Sequence, residues 1–503
     1  MRSIQESEPG GRTTLRVAAV SISCLLLAVA AFADEAQQDL KERRARAMAK
    51  LGAESMLVLF SAPPRVYSAD VDYEYRQDSD LYYFTGITQA DTMLVLMPGN
   101  ATNKEILFVR QPDARREHWN GHTLTLQEAS AASGIEKVLF SSGFEDFLSA
   151  ALSGSAPGMR RKPGFAEFGT FMKAVSAGRA RVALMLSPPP KLSEPLSPAH
   201  EFARTIRDRF SGVTVTNAAE LVWGLRQVKT AYEQRVLRRS LEISSEAHRA
   251  GMHTAQPEVF EYEVEAAIEA VYLKKGAMSW GYPSIVGSGP NATTLHYSES
   301  SRKMEEGDLL LVDAAGSYQH LTGDITRTYP VSGRFSAAQR DLYELVLAAQ
   351  EAGMKAARVG KTPDDIEEAA EAVIKDGLLK RGLITDVSGE QFRTWYTHGI
   401  CHFIGLDVHD VGDYNRPFEA GMAFVIEPGL YIRPQALDDL PKTPENKAFA
   451  ERVGPAVAKY ANIGIRIEDS FLLTDKGLEQ LSATVPRTVP EIEAFMKTRP
   501  ATR

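Results

Sequence analysis

Residues 309–330 read LLLVDAAGSYQHLTGDITRTYP, and two acids within them decide how the second half of the chain is read. Asp313 ends the apolar run Leu309–Val312, and Asp324 opens Asp324-Ile325-Thr326-Arg327-Thr328. Short apolar runs of this kind predict buried strands. A carboxylate buried there is costly unless something compensates its charge. Gly316 and Gly323 lie between the two acids, so the segment predicts a hairpin that lets them face each other. The pattern recurs downstream, where Glu427 ends Ala423-Phe424-Val425-Ile426 and Glu468 follows Ile463-Gly464-Ile465-Arg466-Ile467. Strand alternation places Arg466 and Glu468 on one face and Ile465 and Ile467 on the other. Any one of these acids also reads as a salt-bridged structural residue. Together they need more positive charge than Arg327 and Arg466 supply, and a pair of divalent cations would balance them.

A histidine cluster offers a further ligand. Of ten histidines, three fall within residues 398–409: His398, His402 and His409. An H-x-x-x-H pair can belong to a zinc-protease helix, but that motif requires Glu after the first histidine. Gly399 stands there and Gly405 follows, which disfavours the helix. Mixed carboxylate and imidazole donors suit Mn²⁺, Zn²⁺, Co²⁺ or Fe²⁺ rather than copper or an iron–sulfur cluster.

Outward from these blocks, helical patterns (231–253, 258–275, 337–358, 363–381) alternate with β-rich blocks (309–315, 324–331, 423–432, 463–473). Two helix-then-hairpin halves, 230–331 and 337–473, suggest an internal duplication. Upstream, the short apolar runs 56–60, 92–97, 105–109, 138–140 and 182–186 are interleaved with helical patterns such as 144–152 and 200–210. That alternation predicts an α/β domain. Ser187-Pro188-Pro189-Pro190 reads as a loop, and a domain boundary falls near 218–229. The expected organisation is a leader at 1–33, an α/β domain at 34–220 and an α+β domain at 221–503. The leader pairs Arg2, Arg12 and Arg16 with an apolar run from Val17 and an Ala31-Phe32-Ala33 end, the pattern of a cleaved secretory signal peptide. The protein is therefore expected to be exported, periplasmic or secreted, with no membrane attachment after cleavage. Cys24 leaves with the leader and Cys401 remains alone, so no disulfide forms within the mature chain. A formal net charge of −8 without a long basic run argues against a nucleic-acid partner.

The blocks Leu311–Gly316, Asp324–Pro330, His398–His402 with Leu406–Gly412, Ile426–Tyr431 and Gly464–Asp469 resemble the "pita-bread" metallopeptidases, close to aminopeptidase P and prolidase. The segment Arg76-Gln-Asp-Ser-Asp-Leu-Tyr-Tyr-Phe-Thr-Gly86 resembles the signature of the aminopeptidase P N-terminal domain. The resemblance covers nearly all of residues 50–490, in the family's order. It implies an aminopeptidase P-type α/β N-terminal domain followed by an α+β pita-bread (creatinase/aminopeptidase-like) catalytic domain. It implies two divalent metal ions, by family expectation Mn²⁺, with Zn²⁺ or Co²⁺ as alternatives. Asp313 would chelate one metal, Asp324 and Glu468 would bridge both, and His402 and Glu427 would complete the other. A water acidified between them would be the nucleophile. Glu427 would pass its proton to the leaving nitrogen, and His409 would bond the scissile carbonyl. His296 and His398 would line the substrate pocket, and Arg466 and Tyr431 would support the ligand shell. Proline-containing peptides are the implied substrates, and a dimer or tetramer the implied assembly.

Three readings compete: an Xaa-Pro aminopeptidase, a prolidase restricted to dipeptides, and a non-catalytic peptide-binding module on the same fold. Every ligand position holds a competent ligand, which disfavours the third. Prolidases often carry a longer insert after the position of His409, bearing an arginine for the dipeptide carboxylate. Here Asp410–Ile426 is short, with Arg416 alone, which favours the aminopeptidase. Cys401 reads as a packing residue. The stretch 433–460 reads as a solvated excursion, an active-site rim or an oligomer contact.

Overall fold

The computed structural model describes residues 34–153, 165–187, 191 and 193–499. The leader and most of the 187–190 loop lie outside the described residues. The chain divides into two compact units, Met1–Val222 and Trp223–Arg503.

The first unit is built on a six-stranded sheet. Its strand order is Lys137–Phe140, Glu105–Val109, Met93–Leu96, Ser55–Phe60, Ala180–Leu184, Val213–Asn217. Met93–Leu96 runs antiparallel to both neighbours and the other pairings are parallel. The sixth strand, Val213–Asn217, goes beyond the expected five. Its V-T-V-T-N pattern leaves it half-exposed, so it carries no apolar run. Helix Ser79–Thr85 is the Arg76–Gly86 signature. Asp78 caps it by accepting from Asp80 N (3.0 Å) and Leu81 N (2.9 Å), and it ends at Gly86 with φ 65°. Its Leu81, Tyr83 and Phe84 are fully buried. Arg43 and Arg44, on the opening helix over 34–51, donate to Tyr83 O and Phe84 O at 3.0 and 2.7 Å. The signature residues are thus core and caps of this unit.

In the second unit the order of elements repeats. Helices Ala231–Thr254 and Glu261–Lys274 precede an antiparallel sheet of Ile285–Ser288, Leu309–Asp313 and Thr326–Pro330. Helices Ala337–Ala356 and Pro363–Lys380 precede strands Ala423–Ile426, Gly429–Ile432, Ile463–Arg466 and Asp469–Thr474. Helix Ala231–Thr254 starts at a reciprocal cap: Thr230 Oγ1 accepts from Glu233 N (3.1 Å), and Glu233 Oε2 accepts from Thr230 N (2.9 Å). It buries Leu237 and Leu241 against the connection between the two aspartates. A Cβ on Gly323 would lie 2.2 Å from Leu241 Cδ2, so any side chain there would force the buried Leu241 to shift.

Two expectations change. Residues 314–325 are not a simple turn, because Gly316–Tyr318 and Leu321–Thr322 form their own hairpin beside Ser279–Trp280. Residues 433–460 are not a loose excursion either. A short turn at Pro434–Leu437 leads into helix Pro444–Tyr460, which buries Phe449, Val453, Val457 and Tyr460. Pro444 takes the first helical turn, where a missing N–H costs nothing.

Candidate active site

Backbone pairings bring the four acids together. Asp313 stands opposite Thr326, and Thr326 bridges on to Glu468, whose N–H donates to Thr326 O at 3.1 Å. Ala423–Ile426 pairs with Asp469–Thr474, and Gly429–Ile432 pairs with Ile463–Arg466. Both ladders break at 427–428 and 467–468, so Glu427 and Glu468 occupy facing interruptions. The histidine segment is not helical. It lies along the same strand, with Val425 N donating to His402 O (2.9 Å) and Glu427 N to Ile400 O (2.8 Å). Asp324 precedes its strand rather than opening it, and is pinned at both ends: its N–H donates to Ser470 Oγ (2.9 Å), which donates to Asp324 O (2.7 Å).

The side chains then converge. Asp313, Asp324 and Glu468 each place one oxygen within 4.8 Å of the others. His402, Glu427 and Glu468 form a second such group, sharing Glu468, and Asp324, His402 and His409 a third. His402 Nδ1 faces Phe403 O at 3.1 Å, so it carries the proton and Nε2 presents a lone pair. That lone pair looks at Glu427 Oε1 (3.5 Å), Asp324 Oδ2 (3.6 Å) and Glu468 Oε1 (3.8 Å). Burial and the neighbouring His409 hold the imidazole neutral, with its pKa lowered to about 3. Four acceptors therefore face one another without a donor. Glu468 Oε1, wholly buried, has no hydrogen-bond partner among the described residues. This donor set fits divalent cations, which are what such an acceptor cluster lacks.

The electrostatics say the same. Burial, then Glu468 and Asp313, push the Asp324 carboxyl well above its usual range. Burial and Glu468 do so for Glu427, and burial and Asp313 raise Glu468 to about 8. Asp313 differs: burial opposes its charge, but Arg466 and the Tyr282 hydroxyl outweigh it and its pKa falls. Arg466 Nη2 donates to Asp313 Oδ2 at 2.5 Å. Arg327 supplies no second countercharge to the four acids. Its Nη2 pairs with Asp469 Oδ1 (2.6 Å) and its Nη1 donates to the Glu468 and Thr326 carbonyls. One arginine against three buried carboxyls and the half-buried Glu427 leaves the charge deficit expected from the sequence.

A second layer orients this centre. Arg466 Nη1 donates to the Tyr431 hydroxyl (2.8 Å), which donates to His398 Nε2 (2.8 Å), while His398 Nδ1 donates to Gly399 O (2.7 Å). A continuous relay thus runs from Asp313 through Arg466 and Tyr431 to His398. His409, exposed at the rim, packs edge-on against His402 with ring centroids 4.4 Å apart. His296 is also exposed and lies near both: burial, then Arg466 and more weakly His296, lower the His398 pKa, and burial, then His296, lower that of His409. The structure therefore gathers all ten residues singled out in the sequence around one centre. Cys401 is half-buried against the hydrophobic core, and burial pushes its thiol well up.

Sequence reading missed two features. The Tyr282 hydroxyl sits between Asp313 Oδ1 (2.7 Å) and Asp324 Oδ1. Asp410, next to His409, is buried between Lys229 Nζ (2.7 Å) and Arg226 Nη2. The Gly-Tyr-Pro context of Tyr282 and the adjacency of Asp410 to the histidine block were the available signals.

Comparison with known proteins places this geometry. Residues 235–475 match the model of metallopeptidase family M24, and residues 40–158 match the aminopeptidase P N-terminal domain. The chain is 33% identical to the Xaa-Pro aminopeptidase of Escherichia coli (strain K12), covering 92% of this chain and 98% of that protein. It resembles the solved structure of Pseudomonas aeruginosa aminopeptidase PepP with a TM-score of 0.76, at 33% identity, over 92% and 98% of the two chains. E. coli aminopeptidase P with the inhibitor Pro-Leu also gives a TM-score of 0.76, at 32% identity and the same coverage. The chain belongs to the aminopeptidase P group of metallopeptidase family M24, and it is a hydrolase with that group's N-terminal and catalytic domains.

Proposed function

We propose that this protein is an Xaa-Pro aminopeptidase, releasing the N-terminal residue from peptides with proline second. The observation that carries the chemistry is the donor-free meeting of His402 Nε2 with oxygens of Asp324, Glu427 and Glu468. Asp313, Asp324, His402, Glu427 and Glu468 would hold two divalent ions, with Mn²⁺ the proposed native metal. When bound, such ions polarise a carbonyl and lower the pKa of water. The chain's residues do the rest. Glu427 takes a proton from the attacking water and delivers it to the proline nitrogen as the C–N bond breaks. His409, at the exposed rim beside His402, donates to the developing oxyanion. His296 and His398 wall the pocket, and the Tyr431–Arg466 relay holds His398 and Asp313 in register.

Arg416 bears on peptide length. Its Nε and Nη2 both donate to Glu419 Oε1, at 2.9 and 2.7 Å, and its Nη1 reaches Gly224 O. It is thereby committed locally, and the short stretch 410–426 offers no other arginine for a dipeptide carboxylate. This supports the aminopeptidase over the prolidase. The test compares Ala-Pro with Ala-Pro-Ala-Ala: cleavage of the tetrapeptide is expected, and cleavage of the dipeptide alone would assign a prolidase. The composition of residues 1–33 supports export, and no helix of the described residues is long and apolar enough to cross a membrane. Fractionation of cells expressing the full chain tests this.

A further inference from the structure

Glu261, the first residue of helix Glu261–Lys274, is fully buried, yet no cationic side chain stands within ion-pair distance of it among the described residues. Its partners are neutral donors, all from the segment 288–302. Oε1 accepts from Ser288 N (2.6 Å), Ser288 Oγ (2.7 Å) and Asn291 Nδ2 (3.2 Å). Oε2 accepts from the Tyr297 hydroxyl (2.8 Å) and Arg302 N (2.9 Å). The Arg302 guanidinium itself is turned to Ser288 Oγ (2.8 Å) and Asp308. Burying a carboxylate in this way is costly, and what it secures is geometry: two points fourteen residues apart are tied to one side chain.

The segment so tied carries His296. From the opposite side it rests on the strand that bears Arg466, since a Cβ on Gly464 would lie 2.1 Å from Ala292 O. The Tyr297 ring joins Ala292, Leu295 and Tyr431 in one apolar cluster. We infer that Glu261 is a positioning residue for the reaction, one that sets the height of His296 over the metal-binding centre without touching substrate. The inference rests on the reading of His296 as a wall of the substrate pocket.

Glu261→Gln is the informative change because it keeps the shape. Ser288 N–H and Arg302 N–H bind different oxygens, so either orientation of the amide sets its NH₂ against a backbone donor. The segment must shift, while the five ligands keep their partners. Glu261→Gln, His296→Ala and the double variant are assayed on Ala-Pro-Ala-Ala, with metal content measured on each. Each single change is expected to lower kcat/KM by about 10- to 100-fold with metal retained, the range a misplaced positioning group produces. The double variant is expected within about twofold of His296→Ala, because both changes remove the same contribution. A double variant whose loss is the product of the single losses overturns the inference and leaves the reading of His296 intact. Full activity in Glu261→Gln also overturns it, and full activity in His296→Ala removes both. Tyr297→Phe, which deletes one donor, supplies the same cycle should Glu261→Gln not fold. Its several-fold loss is expected to vanish in the His296→Ala background, and persistence there overturns the inference.

Discussion

Replacing Asp410 by Asn tests how the His409 loop is held. Asp410 is buried with Arg226 and Lys229, each of the three no more than 3% exposed. Burial opposes its charge, but Lys229 and Arg226 outweigh that and hold the carboxyl below the ordinary range. Asn removes the charge and turns an amide toward one of two buried cations. Breaking a buried pair in this way costs about 3–5 kcal/mol. At about 2–4 °C per kcal/mol for a unit of this size, the melting temperature should fall by roughly 6–20 °C. The sign with pH follows from the depressed pKa: the contribution is full above the unfolded value near 3.8 and is lost as pH falls through the folded value. Thermal melts of wild type and variant should therefore differ at pH 7 and converge in strong acid. Since Asp410 adjoins His409 and its side chain ties that loop to Arg226 and Lys229, the variant should lose activity through His409 while keeping its metal. Asp407→Asn is the control, because Asp407 is 40% exposed and its pairing with Arg226 contributes under about 1 kcal/mol. An unchanged melting temperature with full activity would show that Asp410 does not hold this loop.

Three further outcomes are expected. Glu427→Gln should lower kcat by about 10²–10⁴-fold, the usual contribution of a positioned acid–base group, while metal analysis still finds bound ions. Gly464→Ala places a methyl 2.1 Å from Ala292 O; overpacking of this kind costs about 1–3 kcal/mol, and denaturant titration should show it together with a rise in KM. In chelator-treated protein, Glu468 binds its proton up to pH of about 8 when folded but only to the ordinary carboxylate range when unfolded. Stability of the metal-free protein should therefore fall as pH rises from about 4.5 to 8, the region where the folded state binds more protons. Calorimetry in buffers of different ionisation enthalpy should accordingly record proton release when Mn²⁺ is added at pH 7.

The four clustered acids were legible because each breaks a local rule: Asp313, Glu427 and Glu468 follow apolar runs, and Asp324 stands just before one strand, where burial of a carboxylate is costly. The histidine cluster at 398–409 was legible by its density, and His402 within it only through the family resemblance. What surrounds them was not, because it depends on partners far away in sequence. Tyr282 reaches Asp313 and Asp324, and Asp410 reaches back to Arg226 and Lys229, with no local pattern announcing either. Glu261 reads as an ordinary first-turn acid until Ser288 and Arg302 fold around it. The fold divides along the same line. The strand Val213–Asn217 was lost because half-exposed V-T-V-T-N has no apolar run, and helix Pro444–Tyr460 because its two prolines and many charges masked an apolar face at 449, 453 and 457.

Asp313, Asp324, His402, Glu427 and Glu468 are proposed to form one centre that binds two divalent ions and hydrolyses the bond before proline. Metal content per chain, measured on wild type and Glu468→Ala beside cleavage of Ala-Pro-Ala-Ala, tests it most directly. Glu468 belongs to both ligand groups, so its loss should strip metal and abolish hydrolysis together, against two ions and full activity in wild type. A Glu468→Ala protein that keeps two ions and cleaves the peptide at the wild-type rate would show that this cluster is not the metal centre.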